Sequence, residues 1–342
     1  MSTDFLQCSV IILNHNGKHF LEKCITSVLR QDFASFEVIL VDNGSDDGSI
    51  DFVKNNFPSV RIIALPENLG YAGGNNLGVE HARGSLIVLL NNDTAVERGW
   101  LQGLVQAVRP DRVAIVSSLI KTEGVPDRYY EKNGTINFLG HNVMRAYEEP
   151  TDIFFGGGAS LIYKKDLLGI PFDADYFAYG EDVYLSLRAR FLGYGVKHTN
   201  ESRVYHYGSG TAKQKPRRMR SYYQERNRLL NTILFFRPMT LLRLIPFFIL
   251  NVFTKLTASL VTHRWSFLGV IQSHVWLVTH PFTILAKRRA LEVEKRVPER
   301  DVIAAMSGKL MNGENFVERA INACSLAYCR LAGLKTIELS KK

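Results

Sequence analysis

The chain has 342 residues, 46% of them hydrophobic and 22% charged, ample material for a buried core; disorder, collagen and coiled coil are excluded as the main state. Its net charge of +9 is unevenly placed: residues 1–200 carry 18 Lys and Arg against 24 Asp and Glu, a net −6, and the remainder carries 24 against 9, a net +15. The four cysteines, Cys8, Cys24, Cys324 and Cys329, show neither a C-x-x-C pair nor zinc-ligand spacing, so no disulfide framework or structural zinc is expected, and a reducing, intracellular location fits.

Met1–Gln7 contains Asp4 and no basic n-region, and Val10–Leu13 is too short for an h-region, so no signal peptide is read there. Short apolar runs at Ser9–Leu13, Glu37–Val41, Val60–Leu65, Leu86–Leu90 and Val113–Leu119 then alternate with helix-like segments at Phe20–Arg30, Ser49–Asn56, Asn75–Ala82 and Trp100–Val108. That alternation predicts an α/β fold with a mostly parallel sheet buried on both faces. Turn residues follow the strand ends at Asn14-His15-Asn16-Gly17, Asp42-Asn43-Gly44-Ser45 and Asn91-Asn92-Asp93. Ligands of open α/β sheets bind beyond the carboxyl ends of strands, so these tips are the first candidate site.

Residues 121–155 are weakly patterned and predict hairpins and loops. A glycine run, Gly156-Gly157-Gly158, leads into a strand at Ser160–Tyr163, and Tyr179-Gly180-Glu181-Asp182 opens a helix over Val183–Leu192 with acids in its first turn. A short strand at Val196–Thr199 and a turn near His206 close the region. Beyond residue 212 the character changes. Lys213, Lys215, Arg217, Arg218, Arg220, Arg226 and Arg228 interleave with Tyr222 and Tyr223, and apolar segments follow at Leu229–Phe253, broken by Arg237, Pro238, Arg243 and Pro246, and at Trp265–Ala286. The chain therefore reads as residues 1–212, a nucleotide-binding domain, and residues 213–342, a basic and apolar helical region.

Asp93 stands directly after a buried strand, where a carboxylate is held rigidly; a divalent cation on a diphosphate needs one or two such ligands plus phosphate oxygens and water. An Asx turn or a cap for the helix near Trp100 is the plainer reading of the same residue. The company of Asn14, Asp42, Asn43 and Ser45 at neighbouring tips favours one shared nucleotide site. The run Gly70-Tyr71-Ala72-Gly73-Gly74-Asn75-Asn76 offers backbone approach without side-chain bulk. A Walker motif is absent, and no G-x-G-x-x-G follows the first strand, so kinase and dehydrogenase chemistry is weakly supported.

Taken in order, Val10–Gly17, Val41–Ser49, Asn68–Asn76, Leu90-Asn91-Asn92-Asp93 and Gly180-Glu181-Asp182 resemble the family 2 inverting glycosyltransferases of the GT-A fold, and within them the rhamnosyltransferase and galactofuranosyltransferase-like branch. The resemblance covers about residues 8–230. It implies a nucleotide-diphosphate sugar donor linked to dTDP or UDP, a divalent metal (Mg²⁺ or Mn²⁺) and inversion at the anomeric carbon. By motif position Asn14 and Asp42 contact base and ribose, with Asn43, Ser45, Asn76 and Asn92 in support. Asp93 matches the last acid of the family's D-x-D metal motif, whose first position is here the neutral Asn91. Asp182 takes the place of the general base, and Glu181 of a residue that positions the acceptor; a bare Glu-Asp pair at a helix start is otherwise a macrodipole effect. His206, 24 residues after Asp182, matches a histidine that completes the metal site. Gly157, Gly158 and Tyr179, with Asp152, Phe154 and Phe155, fall where the acceptor cleft is expected. Arg217–Asn227 resembles a segment that touches donor phosphates or a lipid-linked pyrophosphate.

The function expected on these grounds is transfer of a sugar, rhamnose among the candidates, from a nucleotide donor to a glycan or polyprenyl-linked acceptor in cell-surface polysaccharide synthesis. A nucleotidyltransferase is the alternative within enzymes, and a non-catalytic nucleotide-sugar or carbohydrate-binding protein is the alternative outside them. For the basic, apolar region, nucleic-acid binding conflicts with the acidic front. A peripheral position on an anionic membrane surface, on the cytoplasmic face of the plasma or inner membrane, fits both its charge and its apolar bodies. A true span is disfavoured by Gln272, Ser273, His274, Thr279, His280 and Pro281.

Overall fold

In the computed structural model, which describes residues 7–122, 135–143, 153–207, 216–262, 265–313 and 315–340, the apolar runs become strands and the periodic segments become helices. The order is β1 (Cys8–Asn14), α1 (Lys18–Leu29), β2 (Phe36–Asn43), α2 (Ser49–Asn56), β3 (Arg61–Leu65), α3 (Gly70–His81), β4 (Leu86–Asn91), β5 (Thr94–Val96), α4 (Trp100–Val108) and β6 (Val113–Thr122). Then come β7 (Thr135–Ile136), β8 (Asn142–Val143), β9 (Ser160–Lys164), α5 (Lys165–Leu168), a 3₁₀ turn (Ala174–Tyr176), α6 (Glu181–Phe191) and β10 (Gly195–His206). Helices follow: α7 (Arg217–Phe235), α8 (Pro238–Val261), α9 (Phe267–Thr279), α10 (Pro281–Glu294), α11 (Glu299–Ala305), α12 (Phe316–Leu331) and α13 (Ile337–Ser340). Asp152, Lys213 and Lys215 lie outside the described residues.

Eight strands form one sheet in the order β3-β2-β1-β4-β9-β6-β10-β5. The β3-β2-β1-β4 block and the β6-β10 pair are parallel, while β9 runs antiparallel between β4 and β6, and β5 antiparallel to β10. The parallel strands are near-continuous apolar runs because helices cover both faces. One core joins Val10 and Ile12 of β1, Leu21, Ile25 and Val28 of α1, and Leu101, Leu104 and Val105 of α4.

The strand registers align the polar tips. Asn14 lies opposite Asp42, and Leu13 opposite Asn91, so the ends of β1, β2 and β4 finish level with one another. The helix expected over Asn75–Ala82 begins earlier, at Gly70, and takes in the whole glycine run. Its glycines serve packing: a Cβ on Gly74 would come within 2.4 Å of Leu13 Cδ1, and one on Gly78 within 2.7 Å of Ile11 Cγ2, so α3 lies closer to β1 and β2 than any side chain permits.

The chain divides into two units, one made of Met1–Asn133, Ala146–Leu185 and Gly195–Gln214, the other of Gly134–Arg145, Ser186–Tyr194 and Lys215–Lys342. The sheet belongs to the first. The second is helical, and part of the basic run seen in the sequence turns inward there. Buried Glu225 accepts hydrogen bonds from Arg228 Nη2 and Asn251 Nδ2, both at 2.6 Å, and has Lys255 Nζ at 3.4 Å. Arg226 is 5% exposed, its guanidinium stacked on the rings of Tyr222, Tyr223 and Trp276. Arg226 and Arg228 therefore act as core cations. The apolar segment Trp265–Ala286 is cut at His280, since Pro281 opens a new helix. In contrast, Pro246 does not break α8, which continues for 24 residues.

Candidate active site

Three strand tips build the first half of the site. Asn14 Nδ2 donates to Asp42 Oδ2 at 3.1 Å and to Ser45 Oγ at 3.2 Å, while its Oδ1 accepts from Asn92 Nδ2 at 2.7 Å. Asp42 Oδ1 takes the backbone N–H of Ser45 at 2.9 Å, a side-chain bond three residues on that sets the loop after β2. Asn43 binds the α3 entry through the Leu69 N–H and the Gly70 carbonyl. Gly17 makes the close approach possible, because a Cβ there would sit 2.2 Å from Asn92 Nδ2. The structure thus brings Asn14, Asp42, Ser45 and Asn92 into one hydrogen-bonded layer at the strand ends, with Asn43 beside it turned to the entry of α3. Asn76 stands apart: its amide pairs in both directions with the backbone of Phe172 and ties α3 to the loop after β9.

The second half forms across a tight turn. Asn92 and Asp93 link β4 to β5, and the antiparallel pairing of β5 with β10 sets Thr94 opposite His206. His206 Nε2 consequently lies 3.3 Å from Asp93 Oδ1, with the two side chains 13% and 5% exposed. Adjacent ligands of an octahedral cation at 2.0–2.1 Å are about 3 Å apart, so this pair fits two positions on one ion. Carboxylate and imidazole together suit Mn²⁺ better than Mg²⁺, which prefers oxygen. No group of three or more His, Cys, Asp or Glu that could hold a metal occurs among the described residues; the pair matches an ion whose remaining ligands are diphosphate oxygens and water. Asp93 caps no helix, since α4 starts after Gly99.

Glu181 and Asp182 open α6. Burial pushes the Asp182 carboxyl up to about 6, against the backbone N–H bonds that favour its ionised form. The approach is strained: Phe177 and Tyr179 have φ of 58° and 73°, unusual for bulky residues, and Gly180 follows at 81°. Gly70, at φ 75°, admits no side chain because its Cβ would strike the Phe177 carbonyl at 2.3 Å.

Tyr71 joins the halves. Its hydroxyl donates to the Gly158 carbonyl at 2.8 Å, and its ionisation is pushed well up, first by burial and then by the charges of Glu181, Asp182 and Asp93. One phenol therefore feels all three candidate carboxylates and holds the glycine run. Sequence reasoning passed over it as part of a run valued for lacking bulk; an aromatic among glycines was the available signal. Phe154 and Phe155 are buried, so their faces pack in the core and do not stand open for a sugar.

Residues 9–169 match the family model described as "Glycosyl transferase family 2". Over this segment, just under half of the chain, the sequence is similar to the family 2 glycosyltransferases. The chain is similar to O-antigen biosynthesis protein RfbC of Myxococcus xanthus, 29% identical over 59% of this chain and 17% of the relative. It is also similar to glycosyltransferase GlyA of Streptococcus pneumoniae, at 24% over 58% and 30%, and to glycosyltransferase AglE of Haloferax volcanii, at 24% over 55% and 62%. The chain thus spans less than two thirds of the length of these relatives. Among solved structures, S. aureus TarS 1-349 in complex with UDP-GlcNAc aligns with 95% of this chain and 90% of its own at TM-score 0.56 and 16% identity. GalNAc-T7 with UDP, GalNAc and Mn²⁺ aligns with 68% of this chain and 48% of its own, at TM-score 0.56 and 18% identity. These likenesses place the fold in the GT-A class.

Proposed function

We propose that the protein is a metal-dependent, inverting glycosyltransferase that moves a sugar from a nucleotide diphosphate to a glycan or polyprenyl-linked acceptor in polysaccharide synthesis. The observation that carries this reading is the meeting of three unlike groups in one unit: the Asn14–Asp42–Ser45 layer, the Asp93–His206 pair and the raised carboxyl of Asp182. Solved structures with this fold hold UDP, UDP-GlcNAc or, in the mannosyltransferase of Pyrobaculum calidifontis, GDP-Man and Mn²⁺, which supports a nucleotide-sugar donor.

Asp42, Asn14 and Ser45 hold base and ribose at the strand tips. Asp93 and His206 would hold a divalent cation, which when bound would supply Lewis-acid stabilisation of the departing diphosphate. The acceptor hydroxyl forms its bond to the anomeric carbon as the bond to the diphosphate oxygen breaks; the electron pair leaves with the diphosphate and the hydroxyl proton passes to an Asp182 carboxylate oxygen. A carboxyl with its midpoint raised to about 6 is a stronger base than an exposed aspartate and is still ionised at neutral pH. Tyr71 fixes the Gly158 carbonyl beneath the reacting sugar, and Glu181 orients the acceptor. The order of motifs favours the rhamnosyl and galactofuranosyl branch, and the four free cysteines support a reducing, cytoplasmic setting.

The test is a screen of dTDP- and UDP-linked sugars for nucleoside diphosphate release with and without a chelator. Release of diphosphate that chelation abolishes is expected. In a parallel incubation with a nucleoside triphosphate and a sugar 1-phosphate, release of pyrophosphate would establish the nucleotidyltransferase alternative, and unchanged function in Asp182→Asn would establish the non-catalytic one.

A further inference from the structure

The second unit contains a helix whose sides are reversed. The buried face of α8 is Thr240, Leu244, Phe247, Asn251 and Lys255, and its opposite face carries Leu242, Ile245, Ile249, Phe253 and Leu260 at helical spacing. Ile249, Phe253 and Leu260 are 65%, 66% and 75% exposed, while Asn251 and Lys255 are 3% and 7% exposed. In water this arrangement is backwards: a soluble helix turns its apolar stripe to the core. The next helix repeats it, burying Gly269, Val270 and Ser273 and exposing Leu268, Ile271, Val275 and Val278. At the start of α10, Phe282 is 84% exposed.

Charge specifies what covers this surface. Residues 226–291 hold nine Lys and Arg and no Asp or Glu. Lys255 is folded inward onto Glu225 and the Trp265 ring, which leaves Arg243, near the start of α8, as the helix's exposed cation. Arg243 and Arg289 are exposed, and Arg218, also exposed, is bonded to Gln272 of α9. Apolar faces with basic residues and no acid suit hydrocarbon below an anionic headgroup layer.

Length alone lets α8 cross a bilayer, since 24 residues at 1.5 Å reach about 36 Å against a core of about 30 Å. Its inner face argues for one-sided immersion. Asn251 and Lys255 are bonded to Glu225 of α7, a helix that carries Arg226 and Arg228 in its buried part, and Thr240 is bonded to Glu299. A spanning α8 would take these charges into hydrocarbon with it.

We propose that α8, α9 and the first turn of α10 form a monotopic membrane face that sinks into one leaflet of an anionic bilayer, with Leu242, Ile249, Phe253, Leu260, Val275 and Val278 in the acyl region. The proposal concerns a surface of the second unit and stands or falls separately from the reading of the active site.

The test is flotation of the full chain with phosphatidylcholine vesicles and with equimolar phosphatidylcholine–phosphatidylglycerol vesicles, at low and high salt. The wild type floats with the mixed vesicles and stays bound at high salt, because apolar insertion outlasts screened charge. Ile249→Asp and Phe253→Asp each lower the bound fraction by about tenfold or more, following the value of one buried large side chain. Both positions are exposed, so the folded state survives; circular dichroism and light scattering of the same samples establish this, and Arg289→Glu, which leaves the apolar face intact, weakens binding only to the mixed vesicles. Recovery of the wild type in the soluble fraction with both vesicles would overturn the proposal. So would equal flotation of folded Ile249→Asp and Phe253→Asp, or a soluble wild-type oligomer that these substitutions convert to monomer without any flotation, which would assign the face to a second copy of the chain.

Discussion

The two units treat the same residue types in opposite ways. In the first, α1 and α4 hide Leu21, Ile25, Leu101 and Leu104 completely. In the second, α8 hides an asparagine and a lysine and shows isoleucine and phenylalanine. Their buried acids differ likewise. Burial raises Asp182 to about 6. At Glu225 burial pushes the same way, but the charges of Arg228 and Lys255 and the hydrogen bonds from Arg228 and Asn251 outweigh it and bring the carboxyl down to about 2. The first unit keeps an acid in an unfavourable setting, which is the signature of a working site. The second neutralises its acid inside and leaves its apolar surface outside, which is the signature of a part built for a different solvent.

The largest expected effect comes from Asp182. Asp182→Asn lowers turnover by about 10²- to 10⁴-fold, the usual contribution of a positioned base, while nucleoside diphosphate binding measured by calorimetry persists. The sign of its effect on stability is opposite. A carboxyl whose folded midpoint lies above its unfolded value of 3.8 loses stability as pH rises from 3.8 to about 6, so the variant melts higher than the wild type above pH 6, with the gap closing below pH 4. A melting temperature that falls at neutral pH would remove Asp182 from the class of strained catalytic acids. The wild-type rate itself falls with an acid limb near pH 6 as the base is protonated.

Glu225→Gln comes next and acts on stability. It leaves Arg228 and Lys255 buried without their counter-charge, at a cost of about 3–5 kcal/mol in denaturant unfolding. Because the folded midpoint is depressed, the stabilisation is present above 4.5 and is lost as pH falls toward 2. The wild type therefore destabilises over that acid window more steeply than the variant; equal slopes would show that Glu225 does not hold the helices of this unit together.

These contrasts also mark what the sequence reveals. The strand tips were legible because β strands end where apolar runs stop and turn residues begin, so the sequence alone sets Asn14, Asp42 and Asp93 at neighbouring tips. His206 was legible only through its motif position, since the contact with Asp93 depends on a three-residue strand, β5, too short to read. The packing role of the α3 glycines and the tie from Asn76 to Phe172 were not legible, because a close helix–strand approach and a backbone that lets a ligand come near ask for the same small residues. The reversed α8 was hidden for a related reason. Arg237, Pro238, Arg243 and Pro246 read as interruptions of an apolar segment that ends at Phe253, and only burial shows Lys255, just beyond it, turned inward while the apolar residues face out.

The smallest effect in water sharpens the comparison most. Leu104 lies fully buried on α4, a helix packed on β6, β9 and β10, so Leu104→Ala forfeits transfer energy and leaves a cavity, about 2–5 kcal/mol in all. Ile249→Ala removes a side chain of nearly the same size from an apolar helix of the other unit, yet that side chain is 65% exposed and supports little around it. Its cost in aqueous unfolding is within about 0.5 kcal/mol. If Ile249 instead destabilised the soluble protein as Leu104 does, the outer face of α8 would be an internal packing surface and the distinction between the two units would fail. With a near-zero effect in water, loss of vesicle binding in the same variant isolates the hydrocarbon contact as what this residue is for, since no change in the folded state is left to explain it.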